Sequence, residues 1–184
     1  MADFESDKDI EYIILLLLGS SKKEKLSHLH IQKEIFILKM NSSLFDHLVR
    51  FIKHYRGPFS YDISEALKQP IYLEDAWEFI PPYSKDKVTG GYIEITEHGK
   101  TLYSKMIKII KYNNDKKLLQ VYAAINMIHD IYDDMGPKEL LYYVYTNDKY
   151  SDWIKESLIY DEIVTKTNKE IFYKKNVRHL VEVD

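Results

Sequence analysis

The chain has 184 residues, with 26 Lys or Arg against 29 Asp or Glu, 45% apolar and 14% aromatic residues, and no cysteine. This composition predicts one or two globular units, and at this length roughly 70% of the unfolded chain's surface can be buried without covalent staples. Disulfides, thiolate zinc centres, iron–sulfur clusters and cysteine nucleophiles are excluded, and a formal charge of −3 offers phosphate no overall attraction, so nucleic-acid binding would need a local basic patch.

In chain order, Glu11 to Leu18 is apolar nearly all round and is followed by Gly19, which predicts a buried first helix stopped by a residue at ease in the left-handed conformation. Asp3, Glu5, Asp7, Asp9 and Glu11 suit the positive end of that helix. The apolar run from Ile13 to Leu18 is far shorter than the roughly 20 residues of a bilayer span, so no signal peptide or membrane anchor is expected and the expected location is cytoplasmic. Ser27 reads as the cap of a second helix with Ile31, Ile35 and Leu38 on one face and Lys33 and Lys39 facing outward. Phe51 to Tyr55 reads as a short strand broken by Gly57-Pro58. Ser60 then caps a brief helix with Ile63 and Leu67 inward and Tyr61, Asp62, Ser64, Glu65 and Lys68 on the open side.

Ala76 to Ile80 and Tyr92 to Thr96 flank Pro81-Pro82 and Gly90-Gly91 and predict a hairpin with a long tip. Thr96 caps a helix whose apolar stripe is Leu102, Met106, Ile109 and Ile110. Beyond the turn-like Asn113-Asn114-Asp115, a face made of Leu118, Val121, Tyr122, Ile125, Ile128 and Tyr132 predicts another helix, suited equally to a dimer seam or to closing the monomer core. Gly136-Pro137 ends it and starts a helix through Tyr145, and Thr167-x-x-Glu170 has the form of a capping box. The order predicts a mainly α (α+β) fold: a winged helix-turn-helix domain over residues 1–112 with a β-hairpin wing, then a helical C-terminal extension over residues 113–184.

The stretches HLHIQKEIFIL (from His28), YRGPFSYDISEAL (from Tyr55), GGYIEITEHGKTLY (from Gly90) and ELLYYVYTNDKYSDWIKES (from Glu139) together resemble the YwgA-like winged-helix proteins, which are similar in turn to the SocA/Panacea group of antitoxins. In that pattern a helix with a Gln-Lys pair, here Gln32-Lys33, packs under a tyrosine-glycine-proline-aromatic-serine turn, here Gly57-Pro58-Phe59-Ser60. Arg56 stands where the pattern has tyrosine, with Tyr55 displaced by one position. The resemblance implies a winged-helix fold, whose members serve as DNA readers and as protein-binding modules.

The function expected is that of a non-catalytic DNA-binding transcriptional regulator, with a protein-binding module of antitoxin or adaptor type as the alternative and a homodimer as the assembly. For duplex DNA the expected contacts are Lys33, Arg56, Ser60, Tyr61, Ser64 and Lys68 around the short helix and Lys85 and Lys87 at the hairpin tip. Asp62 and Glu65 on the same helix oppose phosphate. The residues through Tyr112 carry 16 basic and 16 acidic groups and the rest 10 and 13, so neither part is the basic one. For a protein partner the expected anchors are aromatics such as Trp77, Tyr83, Tyr92, Tyr142, Tyr143 and Trp153. His28-x-His30 reads as ordinary, partly exposed histidines, and Asp130, Asp133 and Asp134 beside His129 as a solvated acidic helix end rather than a cation site. No phosphate-binding glycine loop, zinc-protease helix or nucleophile elbow occurs. No catalytic residue, metal or cofactor is expected.

Overall fold

Local caps and apolar periodicity resolve into the chain order α1 (Ser6–Ser20), β1 (Lys25–Ser27), α2 (His28–Asn41), β2 (Ile52–His54), β3 (Gly57–Phe59), α3 (Tyr61–Lys68), β4 (Trp77–Ile80), β5 (Tyr92–Ile95), α4 (Glu97–Asn113), α5 (Lys116–Tyr132), α6 (Pro137–Thr146) and α7 (Ser151–Ile154). The computed structural model describes residues 6–86 and 88–165, so the Thr167-x-x-Glu170 box lies outside the described residues. The fold is mainly helical with small antiparallel sheets, and no helix among the described residues is long and apolar enough to cross a membrane.

Residues up to Phe51 together with Ser60–Asp134 form one unit, and Ile52–Phe59 with the residues from Met135 form another. The division anticipated between 112 and 113 therefore falls inside the first unit. Asn114, at φ 49, closes α4, and the Asp115 carboxylate accepts from the N–H groups of Lys117 and Leu118 to start α5. Both helices pack on α1.

In the first unit the sheet order is β1-β5-β4, with Leu26 opposite Ile93 and Trp77 opposite Ile95. β1 has no signature in the sequence, because a three-residue strand is defined by its pairing with β5, which lies far along the chain. Ser27, Ser60 and Thr96 cap α2, α3 and α4 through their side chains, as their positions predict. Gly19 is not a helix stop: it lies within α1, where a Cβ would sit 2.3 Å from the ring of Tyr103, so glycine there permits α4 to approach.

Helix α2 is buried on every side from His28 to Leu38, because β1, α3, α5 and the turn at Ser43–Phe45 all pack on it. Lys33 is consequently inside, not on an outward face. The α5 stripe closes this core through Val121, Ile125, Ile128 and Tyr132, while Leu118 is exposed.

The second unit corrects another expectation. Gly57-Pro58 does not end the strand but forms the return arm of a two-residue turn, Lys53 facing Pro58 and His54 facing Gly57. A two-stranded ribbon is all edge, so proline's missing N–H is tolerated. The Tyr145 ring lies against Gly57, its hydroxyl bonds Ser157 Oγ at 2.7 Å, and Ser157 Oγ donates to the Tyr55 carbonyl at 2.8 Å. Burial pushes the Tyr145 phenol up to about 12.

Candidate functional site

The short helix α3 is fixed by a clamp from α2. The Gln32 side-chain amide donates to the Ser60 carbonyl at 2.8 Å and accepts from the Ser60 N–H at 2.9 Å, reproducing a two-bond strand pairing with a side chain. Four residues back along α2, His28 Nε2 pairs with Ser64 Oγ at 3.1 Å. Burial first, then Lys68 and Lys33, push the His28 imidazole down to about 4, so the ring is neutral at physiological pH.

The hairpin is anchored to the same helix. The backbone N–H groups of His28 and Leu29, among the donors a helix start leaves unpaired, reach the carbonyls of Gly91 and Thr89 at 2.9 Å. Asp86 Oδ1 accepts from the Val88 and Thr89 N–H groups and shapes the tip. At the other end of α3, Trp77 Nε1 donates to the Leu67 carbonyl at 3.2 Å, and Lys68 Nζ sits 5.9 Å from the Phe79 ring centre. Helix α3 and strand β4 are thus held against each other.

The segment between them is tied down by Glu11 of α1. Its buried carboxylate accepts from the N–H groups of Ile71, Tyr72 and Leu73 at 2.7, 2.8 and 2.7 Å. Read from the sequence, Glu11 is only an acid near a helix start.

These contacts sort the expected DNA-binding residues. Lys33, Ser60 and Ser64 are buried and present nothing to a duplex: Ser60 is consumed by capping and the Gln32 clamp, and Ser64 by His28. Tyr61, Lys68 and Lys85 are exposed in the first unit, Arg56 belongs to the second unit, and Lys87 lies outside the described residues. Trp77, offered above as an interface aromatic, is a core residue, whereas Tyr83 at the tip is 80% exposed. His28 and His30 are buried, not partly exposed.

Among the described residues of α3, the following segment and the hairpin, the large hydrophobic side chains left exposed are Tyr61 (62% exposed), Ile71 (70%), Tyr72 and Tyr83, and the exposed acids are Asp62, Glu65, Glu74, Asp75, Glu78 and Glu94. The exposed cations on these elements, among the described residues, are Lys68 and Lys85. The large side chains exposed on these elements are apolar or aromatic, and most of the exposed charges on the same elements are acidic.

At the C-terminal end of α5 the acidic cluster divides. Asp130 and Asp134 are exposed, but Asp133 is buried and its carboxylate accepts from Ser21 Oγ and the Lys22 N–H, both at 2.9 Å. The reading of a wholly solvated helix end is corrected accordingly. Among the described residues no group of three or more His, Asp or Glu is arranged to hold a metal ion. No family model and no curated protein matches the chain.

Proposed function

We propose that the first unit is the winged-helix module of a non-catalytic regulator and that it binds a protein partner through α3, the segment after it and the β4–β5 hairpin. The observation that supports the reading is the element order α1-β1-α2-α3-β4-β5 with sheet order β1-β5-β4; on this reading the last two strands are the wing and α3 is the recognition helix. The resemblance to YwgA-like proteins and to the SocA/Panacea antitoxin group agrees with this order.

The chemistry of these exposed residues favours protein over duplex. Tyrosines supply interface area at small entropic cost, and the carboxylates on the same elements complement a partner bearing Lys or Arg beside apolar side chains. The same carboxylates repel a phosphate backbone. Duplex DNA is the second reading, favoured by Lys68 at the end of α3 and Lys85 at the wing tip.

The test is affinity capture from the source cells with the wild-type chain and with Tyr61→Ala and Tyr83→Ala, alongside titration of a labelled duplex at 50 and 200 mM salt. One stoichiometric protein partner is expected, its affinity reduced about tenfold by either variant, as loss of a 1–2 kcal/mol aromatic anchor gives. Duplex binding that weakens steeply with salt, with the two tyrosine variants unchanged, would reverse the order of the two readings.

A further inference from the structure

Glu34 on α2 is wholly buried, and neither of its carboxylate oxygens has a hydrogen-bond partner. Its Oε1 lies 4.0 Å from Nδ1 of His129 on α5, and the same nitrogen lies 3.7 Å from Oδ1 of Asp133, one turn further along. His129 Nε2 is 2.8 Å from the carbonyl oxygen of Leu17. A carbonyl only accepts, so Nε2 carries the ring hydrogen and a neutral His129 leaves Nδ1 bare. A bare nitrogen and two carboxylates would then face one another with no donor between them. The Asp133 carboxylate accepts hydrogen bonds from the Ser21 hydroxyl and the Lys22 backbone N–H, whereas that of Glu34 accepts none. One proton at the site removes the conflict, and the complete burial of a Glu34 carboxylate with neither oxygen hydrogen-bonded makes Glu34 the group that holds it.

We propose that Glu34, His129 and Asp133 form a buried proton-holding site between α2 and α5, in which Glu34 keeps its proton in the folded chain and loss of that proton loosens α5 from α2.

The groups facing the site are His129 and Asp133 from α5, with Asp130 acting on the imidazole, and Lys23 from the turn before β1. Burial and then Asp133 push the Glu34 carboxyl up to about 8, against the pull of Lys23. Burial holds His129 below the usual histidine range, with Asp133, the Leu17 carbonyl and Asp130 opposing and Lys23 adding to it. The folded chain therefore binds the Glu34 proton more tightly than the unfolded chain, so this contribution to stability is complete below the ordinary carboxyl range and is lost as pH rises toward 8. For His129 the sign is opposite: the unfolded ring takes up a proton that the folded ring resists, and stability falls as pH drops below the usual histidine range. Above that range only the Glu34 contribution varies.

The experiment compares urea unfolding of the wild type and Glu34→Gln between pH 6.5 and 9, together with NMR of side-chain carboxyl carbons and imidazole nitrogens in the wild type. The wild-type folding constant is expected to fall by up to about tenfold per pH unit relative to Glu34→Gln until Glu34 is ionised. The Glu34 carbon is expected to titrate on the neutral-to-alkaline side, with His129 protonated on Nε2 alone at pH 7. Parallel stability curves, a Glu34 midpoint in the ordinary carboxyl range, or a doubly protonated His129 at pH 7 would each overturn the proposal. If Glu34→Gln does not fold, the wild-type NMR titration decides the matter.

Discussion

Glu11→Ala is expected to destabilise the first unit by about 3 kcal/mol, a drop of roughly 10 °C in Tm. The variant removes one carboxylate and strands three backbone donors, those of Ile71, Tyr72 and Leu73. Charge-assisted hydrogen bonds contribute roughly 1.5–3 kcal/mol each, and the donors left behind recover part of the loss by reaching water. Glu11→Gln keeps one acceptor oxygen and is expected to lose about half as much. The check is urea unfolding combined with hydrogen exchange. In the wild type the three amides are protected, and in Glu11→Ala they exchange as freely as those of an open loop. Unchanged protection would show that something other than Glu11 holds the segment. The same variant weakens partner binding on the present account, because Ile71 and Tyr72 stand on this segment.

Gly99→Ala is the second large effect. Alanine is the better helix former by about 1 kcal/mol, so propensity alone predicts a gain on α4. The packing predicts the reverse. A Cβ at this position would lie 1.9 Å from the Ala76 carbonyl oxygen and 2.8 Å from both the Ala76 carbonyl carbon and Ile95 Cγ1. Two of those atoms are backbone and have no rotamer to escape into, so the first turn of α4 must move off β4. That movement also disturbs the Thr96 bonds to the backbone of Asp75 and Ala76. A loss of about 2–3 kcal/mol is expected, read as a fall in Tm. A rise in Tm would show that the helix start is free to shift.

What the sequence discloses here is what local chemistry decides. Ser27, Ser60 and Thr96 start helices because a hydroxyl accepts from the N–H three residues ahead, and α6 starts with Pro137 in its first turn and the Glu139 carboxylate accepting from the Gly136 N–H. Strands β4 and β5 are legible because their alternation survives on a half-buried ribbon. Strand β1, the clamp of Gln32 on Ser60 and the grip of Glu11 on residues 71–73 bridge parts of the chain far apart in sequence, and no periodicity encodes them.

For the candidate site, the sequence discloses where the elements lie but not which of their residues reach the surface. The short helix and the hairpin are where the sequence places them, but α2 defeats the rule that lysine faces water. A helix surrounded on all sides has no wet face, so Lys33 and Glu34 are drawn in with Ile35 and Phe36. Ser64 reads as outward by helical phase, yet it is turned in by a histidine 36 residues earlier.

The most direct measurement is photo-crosslinking from a reactive phenylalanine analogue placed at Tyr61 or at Tyr83, with Met127 on the exposed side of α5 as the control position. The account predicts that the first two positions label one and the same protein and that position 127 does not. Labelling from only one of them, labelling of a DNA duplex in place of a protein, or equal labelling from all three positions would contradict it.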